Sequence, residues 1–306
     1  MNKISSKEFE QRVRMNIHQK IDHAVGTIEK FYNTFNGKVY VSFSGGKDST
    51  VLLWIARMIF PDVKGVFSDT GLEYPEIRDF VKTIENIIWV KPEFHFKKVL
   101  EKYGYPVISK MQSQYIEQYR TGSEKMKNIR WYGVDYGYGP QYKISGEWRF
   151  MINAPFKISD KCCEHMKKKP LRDYEKNTGE KPIIGIMATE SSQRKKQYLQ
   201  DGCNAFHHAN PSSRPLSFFT ENDIWAIIKK YKIPYSAIYD LGYKRTGCMF
   251  CLYGVHLNNP NHFQIMAKTH PKQYNYCMEK LGIKAVLQYM KQPYSKINGT
   301  QLKMDI

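Results

Sequence analysis

The feature that most narrows what this chain can fold into is the run Ser44-Gly45-Gly46-Lys47-Asp48-Ser49. Before it, Lys38-Val39-Tyr40-Val41-Ser42-Phe43 is β-branched and aromatic, which predicts a buried strand. After it, Thr50-Val51-Leu52-Leu53-Trp54-Ile55-Ala56 predicts a helix over 49–59, ended by Pro61. A strand that turns through two glycines into a helix exposes backbone N–H groups, because no Cβ stands in front of them. Those N–H groups lack intrahelical partners, and the helix dipole is positive at that end. Ser44 and Ser49 add hydroxyls and Lys47 adds a point charge, so the segment reads as a cradle for pyrophosphate. A Walker A loop would need four residues between its first Gly and Gly-Lys-Ser/Thr, and this run does not have them. The plainer alternative is a glycine turn that only caps the helix.

Regular alternation surrounds this loop. A strand over 63–68 runs into Asp69-Thr70-Gly71, Pro75 opens a helix to about Ile87, and a strand fits 88–90. Another strand fits 182–188, and a helix over 221–232 has Thr220 as N-cap with Asp223 at the capping-box position. The expectation is an α/β fold, a Rossmann-like doubly wound parallel sheet that binds ligands at its strand carboxyl ends. Apolar residues at helical spacing from Ser6 to about Phe35 predict one amphipathic helix, so residues 1–36 are read as a helical addition. The α/β domain is then 37–256, and 257–306 a C-terminal extension, helical to about Lys291. Within the domain, 103–160 is rich in Tyr, Gly and Trp, including Tyr136-Gly137-Tyr138, and reads as an irregular insertion facing the substrate.

Charge points to the partner. The chain has 306 residues, a formal net charge of +18, 22 Tyr and 16 Phe. That combination suits a nucleic acid, with cations for phosphates and rings for bases. The alternative is a basic nucleotide pocket on a lysine-rich surface. No apolar stretch would span a bilayer and the N-terminus is polar, so no membrane partner and a cytoplasmic location are expected. In such a compartment six cysteines are better suited to metal binding or reactivity than to disulfides.

Four of those cysteines form two local pairs, Cys162-Cys163 and Cys248-Met249-Phe250-Cys251. Two thiol pairs suggest one shared metal centre. Adjacent side chains diverge, which is awkward for one tetrahedral zinc, whereas a [4Fe–4S] cluster spreads its ligand positions over separate irons. The cluster is therefore favoured, with Lys161, Lys167, Lys168, Lys169, Lys244 and Arg245 expected around it.

These motifs together resemble a known family. Ser44–Ser49 is similar to the PP-loop of the ATP pyrophosphatase (adenine nucleotide α-hydrolase) superfamily. Lys161-Cys162-Cys163, Lys167, Pro170-Leu171 and Thr246-Gly247-Cys248-Met249-Phe250-Cys251 look like the cluster segment of phosphoadenylyl-sulfate and adenylyl-sulfate reductases. Ser68-Asp69-Thr70-Gly71-Leu72-Glu73-Tyr74-Pro75-Glu76 is similar to the family's Asp-Thr-Gly…Pro-Glu segment. Gly185 to Arg194 is similar to its Gly-x-Arg…Glu-Ser-x-x-Arg segment, with Met187 where Arg is usual. Arg214-Pro215-Leu216, Trp225, Ile233-Pro234-Tyr235 and Leu241-Gly242-Tyr243 match the stretch before the C-x-x-C, so the resemblance covers about residues 36–256.

The family's reductases attack sulfur with a Cys in a C-terminal Glu-Cys-Gly-x-His segment, which this sequence does not contain. Cys277 lies on an apparent helix and reads as a packed residue; Cys203, in a polar loop, also reads as non-catalytic. His207-His208 beside it reads as structural or surface. The resemblance is closer to the iron–sulfur ATP pyrophosphatases of DNA phosphorothioation. It implies ATP with Mg²⁺, release of AMP and pyrophosphate, sulfur transfer, and a cysteine desulfurase or other sulfur donor as partner. Ser44, Gly45, Gly46 and Ser49 would hold the departing phosphates, with Lys47 offsetting their charge. Asp48 would hold Mg²⁺ or cap the helix. Asp69 and Gly71 would lie by the adenosine, and Arg194 would reach a phosphate or remain a surface cation. Two other readings stand beside this one: a sulfonucleotide reductase with a displaced nucleophile, and a non-catalytic nucleotide-sensing subunit.

Overall fold

The computed structural model describes residues 4–133 and 139–295, so Tyr136-Gly137-Tyr138 and the end of the C-terminal extension lie outside the described residues. The chain forms two compact units. One comprises residues up to Asp69, Tyr74–Lys91 and Pro170–Thr246; the other comprises Thr70–Glu73, Pro92–Lys169 and residues from Gly247 on.

In chain order the helices and strands begin α1 (Ser6–Val13), α2 (Ile17–Thr34), β1 (Val39–Ser42), α3 (Lys47–Ile59), β2 (Gly65–Ser68), α4 (Pro75–Lys82), β3 (Ile87–Val90) and α5 (Phe96–Tyr103). They continue β4 (Val107–Ile108), α6 (Lys110–Thr121), α7 (Glu124–Tyr132), α8 (Lys169–Thr178), β5 (Lys181–Ile184) and α9 (Ser192–Asp201). Last come β6 (Asn204–Ala205), β7 (Ser212–Ser213), α10 (Glu221–Tyr231), β8 (Leu252–Tyr253), α11 (His262–Thr269), α12 (Pro271–Lys280) and α13 (Ile283–Tyr289).

The first unit is a mostly parallel α/β sheet with flanking helices, in the order β3-β2-β1-β5-β7-β6, with only β6 antiparallel to its neighbour. Val39, Tyr40 and Val41 of β1 are fully buried, as a strand covered on both faces requires. Val41 pairs with Gly65 on one side and Ile183 on the other. The chain winds from β1 outward to β3, then returns to add β5 beside β1. The β1–β5 junction is thus the switch point, where doubly wound sheets open a crevice beyond the strand ends.

Two helices replace the single one expected over 6–35. Asn16 stops the first and restarts the second: its side chain accepts the Gln19 N–H at 3.0 Å, while the Gln19 side chain accepts the Asn16 N–H at 3.1 Å. Ile21, Ala24, Ile28 and Phe31 of α2 and Val51, Leu52, Ile55 and Ala56 of α3 are buried on the sheet side of these helices. Helix α4 ends earlier than expected, where the Thr83 hydroxyl donates to the Phe80 carbonyl at 2.7 Å. Strand β5 also stops early, at Ile184, and Ala188 instead donates to the Ser217 carbonyl at 2.6 Å.

The second unit corrects the reading of 103–160 as irregular. It contains α6, α7 and a 3₁₀ helix over Gly146–Asn153. One guanidinium orders much of it. Arg120 donates to the carbonyls of Ile152 and Met151 at 2.8 Å, Ala154 at 2.8 Å and Phe156 at 2.7 Å. The aromatic composition hides this, because the ordering contact is made to backbone. The short strands β4 and β8 pair in parallel in this unit, and α11, α12 and α13 bury Phe263 and Met266, Cys277 and Met278, and Ile283 and Leu287 in turn. Among the described residues, no helix is long and apolar enough to cross a membrane.

Candidate functional site: a glycine cradle and a thiol quartet

The loop Ser44–Ser49 leaves β1 at the switch point. Gly45 has φ +71°, and a Cβ there would lie 2.7 Å from Val81 Cγ2 and 2.9 Å from Ile77 Cγ2. Both conformation and space therefore demand glycine. Gly46 is the N-cap of α3 with no side-chain cap, which leaves the helix N-terminus open to other acceptors. The two serines brace the turn. Ser49 Oγ accepts the Ser44 N–H at 3.1 Å, lies 3.0 Å from Ser44 Oγ and donates to the Gly46 carbonyl at 2.9 Å. Gly185, just after β5, comes so near that a Cβ would meet the Asp48 backbone at 3.4 Å.

Lys47 turns inward and is 4% exposed. Its ammonium lies 3.2 Å from Glu221 and 3.8 Å from Asp48 and donates to the Lys244 carbonyl at 3.3 Å. Its backbone N–H donates to Tyr239 Oη at 2.8 Å. Burial raises the Asp48 carboxyl above its ordinary value, opposed chiefly by Lys47 and also by Arg245 and Arg194. Asp48 Oδ1 is buried with no hydrogen-bond partner among the described residues. A buried, unpartnered carboxylate oxygen is chemically suited to a cation.

Arg194 pairs with Glu190, which also faces Arg245 at 3.6 Å. Burial lowers the Arg194 pKa, with Arg245 adding to the effect and Asp48 opposing it. The Arg194 side chain is 42% exposed, and its ion pair is with Glu190. Asp69 is buried and ion-paired with Arg78 at 2.9 Å. Gly71 belongs to the other unit, has φ +72° and has open space where a Cβ would stand.

The four paired thiols all belong to the second unit and share one neighbourhood. Burial raises the Cys162 thiol well above its usual value, and Cys248, Cys163 and Cys251 raise it further. Cys251 is pushed up to about 12 by burial and then by Cys248. Cys248 is raised by burial and opposed by Lys167, whose ammonium hydrogen-bonds its sulfur. Beside them Tyr253 Oη is buried without a hydrogen-bond partner among the described residues, and Cys163, Cys162 and Cys251 add to the upward shift that burial gives it. His262 Nε2 is likewise unpaired, and burial lowers its pKa to about 4.

Among the described residues, no three His, Cys, Asp or Glu side chains are drawn together as ligands of one ion. The donor set nonetheless fits an iron–sulfur cluster in its chemistry. It offers four thiols, a lysine on one sulfur, and buried polar atoms that lack partners. Of the basic residues expected around the cluster, Lys167 faces the quartet; Arg245 pairs with Glu190, and the Lys244 carbonyl receives Lys47. Lys169 faces Glu93 and Lys161 faces Asp160, each at 3.6 Å.

Neither remaining thiol is placed as a nucleophile. Cys203 is buried, and its thiol is raised to about 11 by burial. Cys277 is fully buried on α12, donates to the Tyr274 carbonyl at 3.2 Å and is raised to about 12 by burial. His208 faces Asp201 at 3.1 Å. The residues that sequence reasoning missed are Tyr239 and Glu221. Their only local signals are a 3₁₀ turn and the first position of a capped helix.

A glycine turn at the end of a central parallel strand, placed where strand order reverses, is the arrangement with which α/β proteins of the doubly wound class bind nucleotide phosphates. The phosphoadenosine phosphosulfate reductase domain matches residues 38–130 and 86–253, and the chain belongs to that family. It is 26% identical over 229 residues to the adenosine 5'-phosphosulfate reductase of Staphylococcus haemolyticus, covering 73% of this chain and 74% of that one. It is 27% identical over 238 residues to an uncharacterized protein of Methanocaldococcus jannaschii, covering 74% of this chain. The chain spans 45% of that protein and 39% of a second from the same organism, less than half of each. Among solved structures it is similar to the phosphoadenylyl-sulfate reductase of Candida auris, with 15% identity, TM-score 0.45, and coverage of 80% of this chain and 96% of that one. It is also similar to the U34-tRNA thiolase NcsA of Methanococcus maripaludis with its [4Fe-4S] cluster, at 14% identity and TM-score 0.38, covering 94% and 86%.

Proposed function

We propose that this chain uses ATP to activate an acceptor oxygen and that sulfur then replaces it, with AMP and pyrophosphate as products. The observation that carries this reading over direct sulfonucleotide reduction is the state of the two thiols outside the quartet. Both are buried, and burial holds both protonated near neutral pH, while thiolate attack needs an accessible, ionised sulfur. In the proposed reaction the acceptor oxygen attacks the α-phosphorus and the bond to the β-phosphate oxygen breaks. A sulfur nucleophile then attacks the carbon and AMP leaves with the oxygen.

Each loop residue has a task in that sequence. The N-terminus of α3, once Tyr239 gives way, and the hydroxyls of Ser44 and Ser49 receive the β- and γ-phosphates. Lys47 offsets the charge that grows on the leaving pyrophosphate. Asp48 would hold Mg²⁺, and Arg194 would reach a phosphate. Asp69 and Gly71 would lie by the adenosine. Cys162, Cys163, Cys248 and Cys251 would hold a [4Fe–4S] cluster, which when bound supplies a centre for sulfur or electron delivery. The acceptor is a nucleic acid, a reading supported by the net charge of +18. A cysteine desulfurase or comparable donor supplies the sulfur.

Calorimetry on anaerobically purified, iron-quantified protein tests the reading. ATP should bind more tightly than adenylyl-sulfates, and pyrophosphate should compete with it. Tighter binding of a sulfonucleotide, with sulfite released, would overturn the proposal in favour of a reductase.

A further inference from the structure

Lys47 is already engaged at both ends. Its ammonium sits between Glu221 at 3.2 Å and the Lys244 carbonyl at 3.3 Å, with its charge over the rings of Tyr239 at 5.4 Å and Trp225 at 6.0 Å. Trp225 meets Tyr239 edge-on at 5.3 Å. The backbone N–H of Lys47, the first of α3, donates to Tyr239 Oη, which also lies 3.4 Å from Thr246 Oγ1. Above Gly46 the space is filled by the same two hydroxyls. A Cβ there would stand 2.8 Å from Thr246 Oγ1 and 3.3 Å from Tyr239 Oη.

Two features of an anion are therefore reproduced by the chain itself. Tyr239 places an oxygen where a helix N-terminus takes a phosphate oxygen, and Glu221 places a negative charge on the cationic side chain. Glu221 is 54% exposed in its side chain and stands in the first turn of α10, where the dipole favours a carboxylate. It can swing into water without being stranded. Tyr239, by contrast, is held by Trp225 and lies near Thr246, so its oxygen leaves the Lys47 N–H only when the ring itself shifts.

We propose that Tyr239 and Glu221 are positioning residues that act as internal competitors for the cradle. They hold Lys47 and the first N–H of α3 in place, and an incoming β,γ-diphosphate group must displace them. This rests on the nucleotide reading above. Such competitors lower the affinity of every anion that uses Lys47 by the same factor. Weak anions such as orthophosphate then fall below occupancy, while a polyphosphate still binds.

The test is titration of pyrophosphate, ATP and AMP into the full chain and into Glu221→Gln, Tyr239→Phe and Lys47→Met. A half-exposed ion pair contributes at most about 1 kcal/mol, so Glu221→Gln should tighten pyrophosphate and ATP about three- to fivefold at moderate salt. Tyr239→Phe leaves the Lys47 N–H unpaired and should tighten both about two- to tenfold. AMP, which lacks the β- and γ-phosphates, should bind as before, and melting temperatures should confirm that both variants are folded. Unchanged or weaker pyrophosphate binding in both variants overturns the proposal. Equal tightening of AMP also overturns it, because a general charge or packing effect would then suffice. Pyrophosphate binding that survives Lys47→Met would instead remove the nucleotide reading itself, and this proposal with it.

Discussion

The glycine cradle and the thiol quartet present opposite kinds of local chemistry. In the cradle the polar groups answer one another, Asp48 Oδ1 excepted: Ser49 serves three partners within the loop, and Tyr239 accepts the first helix N–H. Around the quartet, burial drives thiol pKa values up, and Tyr253 Oη and His262 Nε2 are buried with no hydrogen-bond partner among the described residues. Buried polar groups of that kind are costly unless something satisfies them. The cradle is thus shaped by the chain's own residues and exchanges partners on binding, whereas the quartet has the character of a site completed by what it binds.

The largest expected effect tests that contrast at the quartet. Changing Cys162 or Cys248 to Ser should abolish most bound iron and its visible absorbance. It should also lower the melting temperature of anaerobically prepared protein by more than any change in the cradle hydroxyls. If iron content and absorbance are untouched by both changes, the thiols do not hold a cluster and the contrast fails.

Next in size is Gly45→Ala. The left-handed φ and the approach of Val81 and Ile77 should together cost about 2–4 kcal/mol, seen as a lower urea midpoint with an unchanged slope. The cradle would then be preformed in the backbone, as the comparison requires. A midpoint equal to that of the unchanged chain would show that the loop is soft.

Much of the cradle can be read from the sequence because its demands are local. A positive-φ glycine, a bare N-cap and two serines five residues apart leave a mark within one short run. Its closing residues cannot be read in that way. Tyr239 and Glu221 lie far along the chain, and nothing near them says that they will meet Lys47. The partner of Arg245 is equally silent in the sequence: its carboxylate is Glu190, more than fifty residues earlier in the chain. The sheet was legible from apolar runs, while the order within 103–160 depends on one arginine binding four carbonyls, which leaves no periodic trace.

The smallest predicted effect separates the first unit's own titration from that of the quartet. His23 is packed edge-on against Phe218 at 4.7 Å, and burial, then Arg12, lowers its pKa below 6.5. The folded chain keeps this imidazole neutral while the unfolded chain protonates. Its contribution to stability is therefore complete above pH 6.5 and is lost as pH falls from there toward the lowered folded value. His23→Gln should make the decline of melting temperature over that window slightly shallower. An identical decline would assign the sensitivity to other groups.

The pairing of Val41 with Ile183 has a consequence for how the protein reaches this state. These neighbours are roughly 140 residues apart in sequence, so the crevice beside the cradle closes only after a long loop has been drawn in, an entropic cost met before any reward. During synthesis the glycine turn emerges well before the wall opposite it, which does not exist until β5 has followed. Nucleotide binding should therefore be a late acquisition in folding, one that reports on a completed sheet rather than guiding its assembly.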